Sequence, residues 1–378
     1  MNKVRLIATA AFGIESVVGQ ELKRLGFENI TIENGRVLYD ADITGICESN
    51  MWLRCADRVF LKIAEFKATT FESLFDQINE IPWETYLGKD AEFPVNAKSV
   101  KSKLFSLSDI QSISKKAVVK KLQQAYSIDW FDETGPKYPI MVSILKDVVT
   151  VSIDTSGVGL HKRGYREKGN EAPLRETLAA ALVYLSNWRT DRLLVDPMCG
   201  TGTILIEAAM IGRNIAPGLN RRFISEGWPL IPVEQWKDIR KTAYQAMDLD
   251  KPMSLIGYDM SDKAISIARE NAEKAGLEDD IHFQVQELSR FSTQKKYGYI
   301  ISNPPYGERL SDKNEVEKLY KRMGNVFLPH DTWSTYFITS HEKFENSFGK
   351  KSTKNRKLYN GKLKCYFYQY HGPRPPRK

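Results

Sequence analysis

The sequence predicts an α/β protein whose larger, carboxy-terminal part is built on a parallel sheet and whose amino-terminal part is α+β. Three observations carry this. Beyond about residue 174, strand-like apolar runs alternate with helix-periodic stretches, the pattern of a parallel sheet. Residues 1–66 carry the order βαββαβ. The length of 378 residues is too great for one ordinary domain.

In the first unit, Val4 to Thr9 reads as a strand, and Gly13 to Leu25 places Ile14, Val17, Val18, Leu22 and Leu25 on one helical face. Strands Ile30 to Glu33 and Arg36 to Asp40 meet at Asn34-Gly35, a strong short hairpin signal. A helix from Ile43 to Arg54 and a strand from Arg58 to Phe66 complete a ferredoxin-like split βαβ arrangement. That fold by itself implies no function.

From Thr70 the texture changes. A short helix, Phe71 to Ile81, precedes the stretch Glu92 to Lys103, which is read for its lysines. A helix from Ser108 to Tyr126 sets Lys115, Lys116, Lys120 and Lys121 opposite Ile110, Ile113, Ala117, Val118 and Leu122. Strands Ile140 to Leu145 and Val148 to Ile153 turn at Lys146-Asp147. Clustered lysines among Ser and Asn suit a phosphate backbone: charge supplies affinity, while hydroxyls and amides supply register. A solvated helix face is the plainer reading of the same charges.

The glycine- and charge-rich Leu160 to Pro173 marks the next boundary, so the units are 1–66, 67–158 and 159–378. In the third unit Pro173 suits the first turn of a helix, Leu174 to Ser186. Strands follow at Arg192 to Val195, Ser254 to Tyr258, Ile281 to Val285, Tyr299 to Ser302 and Ser334 to Thr339. Between them lie helices at Thr203 to Ile211, Ser261 to Ala275 and Val316 to Phe327; Ser261 caps the second and Gly276 stops it. Arg356 to Asn360 and Leu363 to Tyr370 close the chain as a hairpin. Arg213 to Met253 is too long for a structureless loop, and is expected to hold a helix, Val233 to Met247, inserted over the sheet edge.

The bulk chemistry narrows the classes. Hydrophobic residues make up 42% and charged residues 27%, enough apolar material for real cores. A net charge of +8 and a pI of about 9.0 favour a polyanionic partner. The four cysteines form no CxxC pair and the five histidines are scattered, so no metal and no disulfide framework is expected. No apolar run reaches ~18 residues, and the expected location is the cytoplasm.

The chemistry sits at strand ends. Asp196-Pro-Met-Cys-Gly200-Thr-Gly202-Thr203 is a strand, a glycine turn and a helix start, where main chain can approach a ligand and free N–H groups await it. The turn is neither GxGxxG nor a Walker A loop. The next strand ends at Asp259, an acid placed to accept ribose hydroxyls. The third ends near Glu287 and Leu288, suited to an adenine amine and ring. The fourth ends in Asn303-Pro304-Pro305-Tyr306. There the Asn303 side-chain carbonyl and the main-chain carbonyl of Pro304 can grip one planar NH2 group, and Tyr306 can stack on the ring that bears it. Cys199, in a tight glycine turn, reads as a small residue rather than a nucleophile.

This third unit resembles a Rossmann-like, seven-stranded class I S-adenosylmethionine-dependent methyltransferase of the amino-methylating kind, whose fingerprint is Asn/Asp/Ser-Pro-Pro-aromatic after the fourth strand. The whole chain resembles the THUMP-containing ribosomal RNA guanine-N2 methyltransferases, the family of the RlmL amino-terminal half. The matching stretches are LHKRGYR at 160–166, APLRETLAAAL at 172–182, DPMCGTGTILIEAA at 196–209 and NPPYGERL at 303–310. The resemblance implies ferredoxin-like and THUMP domains before the catalytic one. It implies that Asp196, Gly200, Thr201, Gly202 and Thr203 hold the methionine end of S-adenosylmethionine, Asp259 the ribose, and Glu287 with Leu288 the adenine. Many relatives carry Asp at the position of Glu287. Thr177 and its neighbours are expected to cover the cofactor.

The implied reaction is methyl transfer to the N2 amine of a guanine flipped out of 23S ribosomal RNA, with Asn303, Pro304 and Tyr306 catalytic and Lys98, Lys101 and Lys103 on RNA phosphates. The alternatives are an adenine-N6 methyltransferase, an NAD-type oxidoreductase and a non-catalytic RNA-binding assembly protein.

Overall fold

A computed structural model describes residues 3–166, 174–306 and 313–376. In chain order, the amino-terminal part is β1 (Val4–Thr9), α1 (Glu15–Arg24), β2 (Glu28–Glu33), β3 (Arg36–Ala41), α2 (Gly45–Trp52), β4 (Arg58–Lys67), α3 (Phe71–Asn79), β5 (Val95–Val100), α4 (Leu107–Tyr126), β6 (Ile140–Leu145) and β7 (Val148–Asp154). Its strands form one sheet of order β2-β3-β1-β4-β7-β6-β5. The first four give the ferredoxin-like order. The antiparallel β4–β7 pair, running from Phe60↔Asp154 to Lys67↔Val148, then fuses the first two sequence units into a continuous sheet. Even residues of β1, such as Leu6 and Ala8, bury beneath the helices, while Ile7 joins Leu38 and Phe60 in a small cluster on the other face.

Strand β5 has no counterpart in the sequence reading, which took Glu92 to Lys103 for its charge alone. Val95, Ala97 and Ser99 turn inward while Asn96, Lys98 and Val100 stay exposed, a period-2 pattern in residues of modest strand preference. It lies at the sheet edge, parallel to β6.

The carboxy-terminal part is α5 (Glu176–Ser186), β8 (Leu194–Asp196), α6 (Thr203–Gly212), α7 (Val233–Gln245), β9 (Leu255–Asp259), α8 (Asp262–Lys274), β10 (Ile281–Val285), β11 (Tyr299–Ser302), α9 (Lys313–Phe327), β12 (Ser334–Thr339), α10 (Phe344–Phe348), β13 (Lys354–Asn360) and β14 (Leu363–Tyr370). The sheet order is β10-β9-β8-β11-β12-β14-β13, parallel from β10 to β12 and antiparallel beyond. The order in which successive strands are added reverses between the parallel strands β8 and β11, the switch point at which open α/β sheets hold their ligands. Ser261 caps α8 by accepting from the Ala264 N–H at 3.2 Å, and Gly276 beyond its end has φ +67°. Pro173 lies outside the described residues.

The segment 213–253 does contain a helix, α7, but it lies against the amino-terminal unit rather than over the sheet edge. Gly218 N–H donates to the Met51 carbonyl at 3.0 Å, and a Cβ at Gly218 would sit 2.7 Å from Met51 Cα. Trp228 stacks on Tyr138 with centroids 4.7 Å apart and donates to the Lys137 carbonyl. Its buried aromatics, Phe223, Trp228 and Trp236, supply the reason: they need an apolar surface, and α2 with the β6 entry provides it.

The LHKRGYR stretch locks the two halves together. Arg163 is fully buried beside Glu207 of α6, with Nε to Oε1 at 3.3 Å, and also donates to the Arg54 and Leu160 carbonyls. Tyr165 donates to Glu207 at 3.0 Å, and Arg166 pairs with Glu176 at 3.0 Å.

Candidate active site

Four adjacent parallel strands, β10, β9, β8 and β11, end at one rim, and a cavity of about 830 Å³ opens there. Of the residues singled out in the sequence, Asp196, Gly200, Thr201, Thr203, Asp259, Glu287, Leu288, Asn303, Pro304 and Tyr306 all line it. Gly202 does not. It has φ +81°, and a Cβ there would stand 2.9 Å from the Phe283 ring, so backbone conformation and packing require this glycine.

Asp196 ends β8 and is buried, accepting from the Ser302 hydroxyl at 2.6 Å and the Met198 N–H at 3.2 Å. Burial pushes its carboxyl up to about 7, against the opposing pull of the Ser302 bond. The Ser302–Asp196 bond spans the switch point, so the ends of β8 and β11 are fixed to each other. Asp259 accepts from Gly200 N–H and Ser261 N–H, both at 2.9 Å. One carboxylate therefore holds the glycine turn closed and starts α8, as well as facing the cavity. Gly200 has φ +52°, and a Cβ there would meet no atom within 4 Å, which leaves open space where a ligand can approach main chain.

Pro304 is buried and Pro305 exposed, as two prolines leaving a strand at the edge of a cavity must be. Tyr320 of α9 donates to the Pro305 carbonyl at 2.8 Å and holds this turn in place. The Tyr306 hydroxyl donates to Asn303 Oδ1, so the two residues are coupled and the amide is oriented by its neighbour. Burial pushes the Cys199 thiol well above its ordinary range, which keeps it protonated and a poor nucleophile. His161, half-buried and beside several arginines, is held down at about 4 and is neutral near pH 7.

Thr177 is not at the cavity. Its hydroxyl donates to Asp57 at 3.1 Å, and Leu174 lines the cavity instead. Lining residues absent from the sequence reading come from α9, Leu319 and Arg322, and from the β13–β14 turn, Asn360, Lys362 and Leu363. Arg322 lies 3.7 Å from Glu287. The Asn360-Gly361 turn was legible as a turn, but nothing local signals that it folds back onto the site.

The residues fit S-adenosylmethionine. The buried Asp196 carboxyl beside the glycine turn suits its methionine end, the Asp259 carboxylate suits ribose hydroxyls, and a rim of Glu287 and Leu288 suits an adenine. Among the described residues no group of three or more His, Cys, Asp or Glu is placed to hold a metal.

Residues 163–369 match the family described as the RMKL-like methyltransferase domain. The chain belongs to the RMKL-like methyltransferase family. Ahead of that region, residues 5–60 match the RlmL ferredoxin-like domain and 68–154 the THUMP domain. YpsC of Bacillus subtilis (strain 168) is 49% identical over all of this RMKL-like chain and 99% of its own length. The ribosomal RNA large subunit methyltransferase K/L of Syntrophotalea carbinolica is 33% identical over 96% of the chain, which spans 53% of that relative's length. The crystal structure of SMU.472 complexed with SAH is similar at a TM-score of 0.94 and 48% identity, with each chain fully covered.

Proposed function

We propose that this chain transfers a methyl group from S-adenosylmethionine to the exocyclic N2 amine of a guanine in RNA, with 23S ribosomal RNA as the substrate. The observation that carries the reading is the meeting of Asn303-Pro304-Pro305-Tyr306 and the Asp196 turn at one cavity, joined by the Ser302–Asp196 bond. The provisional name of YpsC is that of an RNA methyltransferase, and the K/L relative is named for large-subunit ribosomal RNA; both support an RNA substrate. The THUMP match supports it also.

When bound, S-adenosylmethionine supplies the electrophilic methyl group. The chain's own work is orientation and electrostatics. Asp196, Gly200, Thr201 and Thr203 hold the methionine end, with Gly202 setting the turn; Asp259 takes the ribose, and Glu287 and Leu288 take the adenine. Asn303 Oδ1 and the Pro304 carbonyl draw the two amine hydrogens and aim the nitrogen lone pair. The Tyr306 hydroxyl already on Asn303 steadies that acceptor, and its ring faces the extruded base. Lys98, Lys101 and Lys103 contact phosphates. On the same footing we assign 67–158 to RNA binding and 159–378 to catalysis, behind a ferredoxin-like unit at 1–66, in a cytoplasmic protein. No helix among the described residues is long and apolar enough to cross a membrane.

Adenine N6 is the nearest competitor, because the same two carbonyls accept either amine. Nucleoside mass spectrometry of ribosomal RNA from cells with and without the protein decides: N2-methylguanosine falls in the knockout. Loss of N6-methyladenosine with N2-methylguanosine unchanged would overturn the guanine assignment.

A further inference from the structure

A second cavity, about 690 Å³, is lined by none of the residues of the strand-end cavity and lies where the helix-free face of the amino-terminal sheet meets the segment between α6 and α7. Its floor is apolar, formed by Phe60, Pro139 and Met141 with Ile224. Its rim carries Arg58, Lys137 and Arg222, and Asn96 offers an amide from the edge strand. A volume of this order takes a nucleoside with room to spare. An apolar floor below cations and one amide has the chemistry of a base on a hydrophobic platform with its phosphate outside.

The charges that face the cleft are unequally matched. Asp154 is paired with Arg58, which also donates to the Gly157 carbonyl. Lys137 pairs with Glu92. Arg222 lies 2.9 Å from Glu226, yet that carboxylate is shared with Arg240 and with the Phe223 N–H, so the 88%-exposed Arg222 side chain is far from neutralised. Behind Phe223 a smaller cavity also shares Arg222, and there the buried indole N–H of Trp236 has no hydrogen-bond partner among the described residues. Around that cavity the cations Arg222, Lys237 and Arg240 outnumber the Glu226 carboxylate, so the field there favours an anion.

Strand β5 extends the cleft into a track. Its outward residues Asn96, Lys98 and Val100 stand in register with Met141, Ser143 and Leu145 of β6, so a strip of alternating polar and apolar groups leads from the cleft past Lys98. It ends at Val100 and Leu145, which are 40% and 52% exposed, beside the turn that carries Lys101. Apolar contacts between cations along an extended path match a single strand, whose bases are free to stack; a duplex hides them.

We propose that this cleft binds one unpaired nucleotide of the RNA substrate, with the base on Phe60 and Met141 and its phosphate on Arg222, and that the flanking single strand runs along β5. The inference rests on the RNA reading above and adds where the RNA is gripped away from the reacting base. No residue of the cleft lines the cofactor cavity.

The test uses the full-length protein and a short single-stranded oligoribonucleotide carrying 4-thiouridine, beside a duplex of the same sequence. Photocrosslinks mapped by peptide mass spectrometry are expected in peptides containing Phe60, Asn96 or Met141. Arg222→Glu and Met141→Glu should each weaken single-strand binding by about tenfold or more, and Arg222→Glu should also lower the salt slope by about one. The rise in melting temperature given by S-adenosylhomocysteine should be unchanged in both, which establishes that the variants fold. Crosslinks confined to peptides that carry no residue of the cleft, undiminished affinity in folded variants, or preference for the duplex would each overturn the cleft assignment while wild-type methylation of ribosomal RNA left the RNA reading standing. A wild-type protein that neither binds nor methylates RNA would overturn both.

Discussion

The two seven-stranded sheets of this molecule put chemistry in different places. In the carboxy-terminal sheet the five strands from β10 to β12 run parallel, so their ends gather at one rim, and the proposed site side chains lie close to those strand termini. In the amino-terminal sheet all neighbouring pairs but β5–β6 are antiparallel, ends point both ways, and the polar groups are spread over a face by period-2 alternation. A parallel sheet concentrates function; an antiparallel one distributes it. Single substitutions at the first should therefore be decisive, and at the second only incremental.

The severest break falls where the sheets are joined. Arg163→Ala would strand the buried Glu207 carboxylate without its cation and cost about 3–5 kcal/mol. A fall in melting temperature seen by both a far-ultraviolet probe and tryptophan fluorescence, at one midpoint, is expected. Two separate midpoints would mean that the sheets unfold independently.

Within the catalytic rim, Asn303→Ala is expected to lower the methyl-transfer rate by about a hundredfold to a thousandfold, the scale set by loss of one well-aimed polar group. Affinity for S-adenosylhomocysteine, measured by calorimetry, should be retained. An equal loss in both quantities would place Asn303 in cofactor binding instead.

Asp196 gives the comparison a pH axis. Its carboxyl is raised to about 7 by burial, so the folded protein without cofactor holds a proton that the unfolded chain releases. Stability from this group is complete below the ordinary carboxylate range and declines as pH climbs from about 4 to about 7. The α-ammonium group of S-adenosylhomocysteine favours the ionised form of a carboxyl beside it, so affinity for this ligand should improve by about tenfold between pH 6 and 8, and Asp196→Asn should flatten that profile. A wild-type profile already flat across this interval would show that the ligand does not sense Asp196.

The smallest effects belong to the spread-out face. Lys98→Ala, Lys101→Ala and Lys103→Ala should each weaken RNA binding a few-fold and lower the salt slope by about one at most. A lysine whose removal alters neither is solvated charge.

What the sequence showed follows the same division. Strand ends in the parallel sheet were legible because an apolar run stops at a residue of distinct chemistry, as Tyr299 to Ser302 stops at Asn303. Strand β5 was not, since Val, Ala and Ser face inward and Asn and Lys outward, a weak hydrophobic contrast at a sheet edge. The α7 segment was recognised as structured but misplaced, because the partner for Trp228 lies at Tyr138, in another unit. Arg322 and Lys362 reach the cavity from elements remote in sequence, and no local pattern marks them. Thr177 was drawn to the cofactor by its place in a helix before the site, while its hydroxyl is engaged by Asp57.

The path of the chain between α6 and α7 limits how this protein can be divided. That segment takes its packing from Met51 and Tyr138, the Arg163 guanidinium takes a carbonyl from Arg54, and Phe12 lies edge-on to Tyr359 at the hairpin whose turn walls the cavity. A catalytic fragment cut after the β7 strand would expose each of those surfaces at once. In evolutionary terms the amino-terminal sheet is part of the catalytic domain's own core, and a lineage that lost it would have to rebuild an interface before it could keep an enzyme.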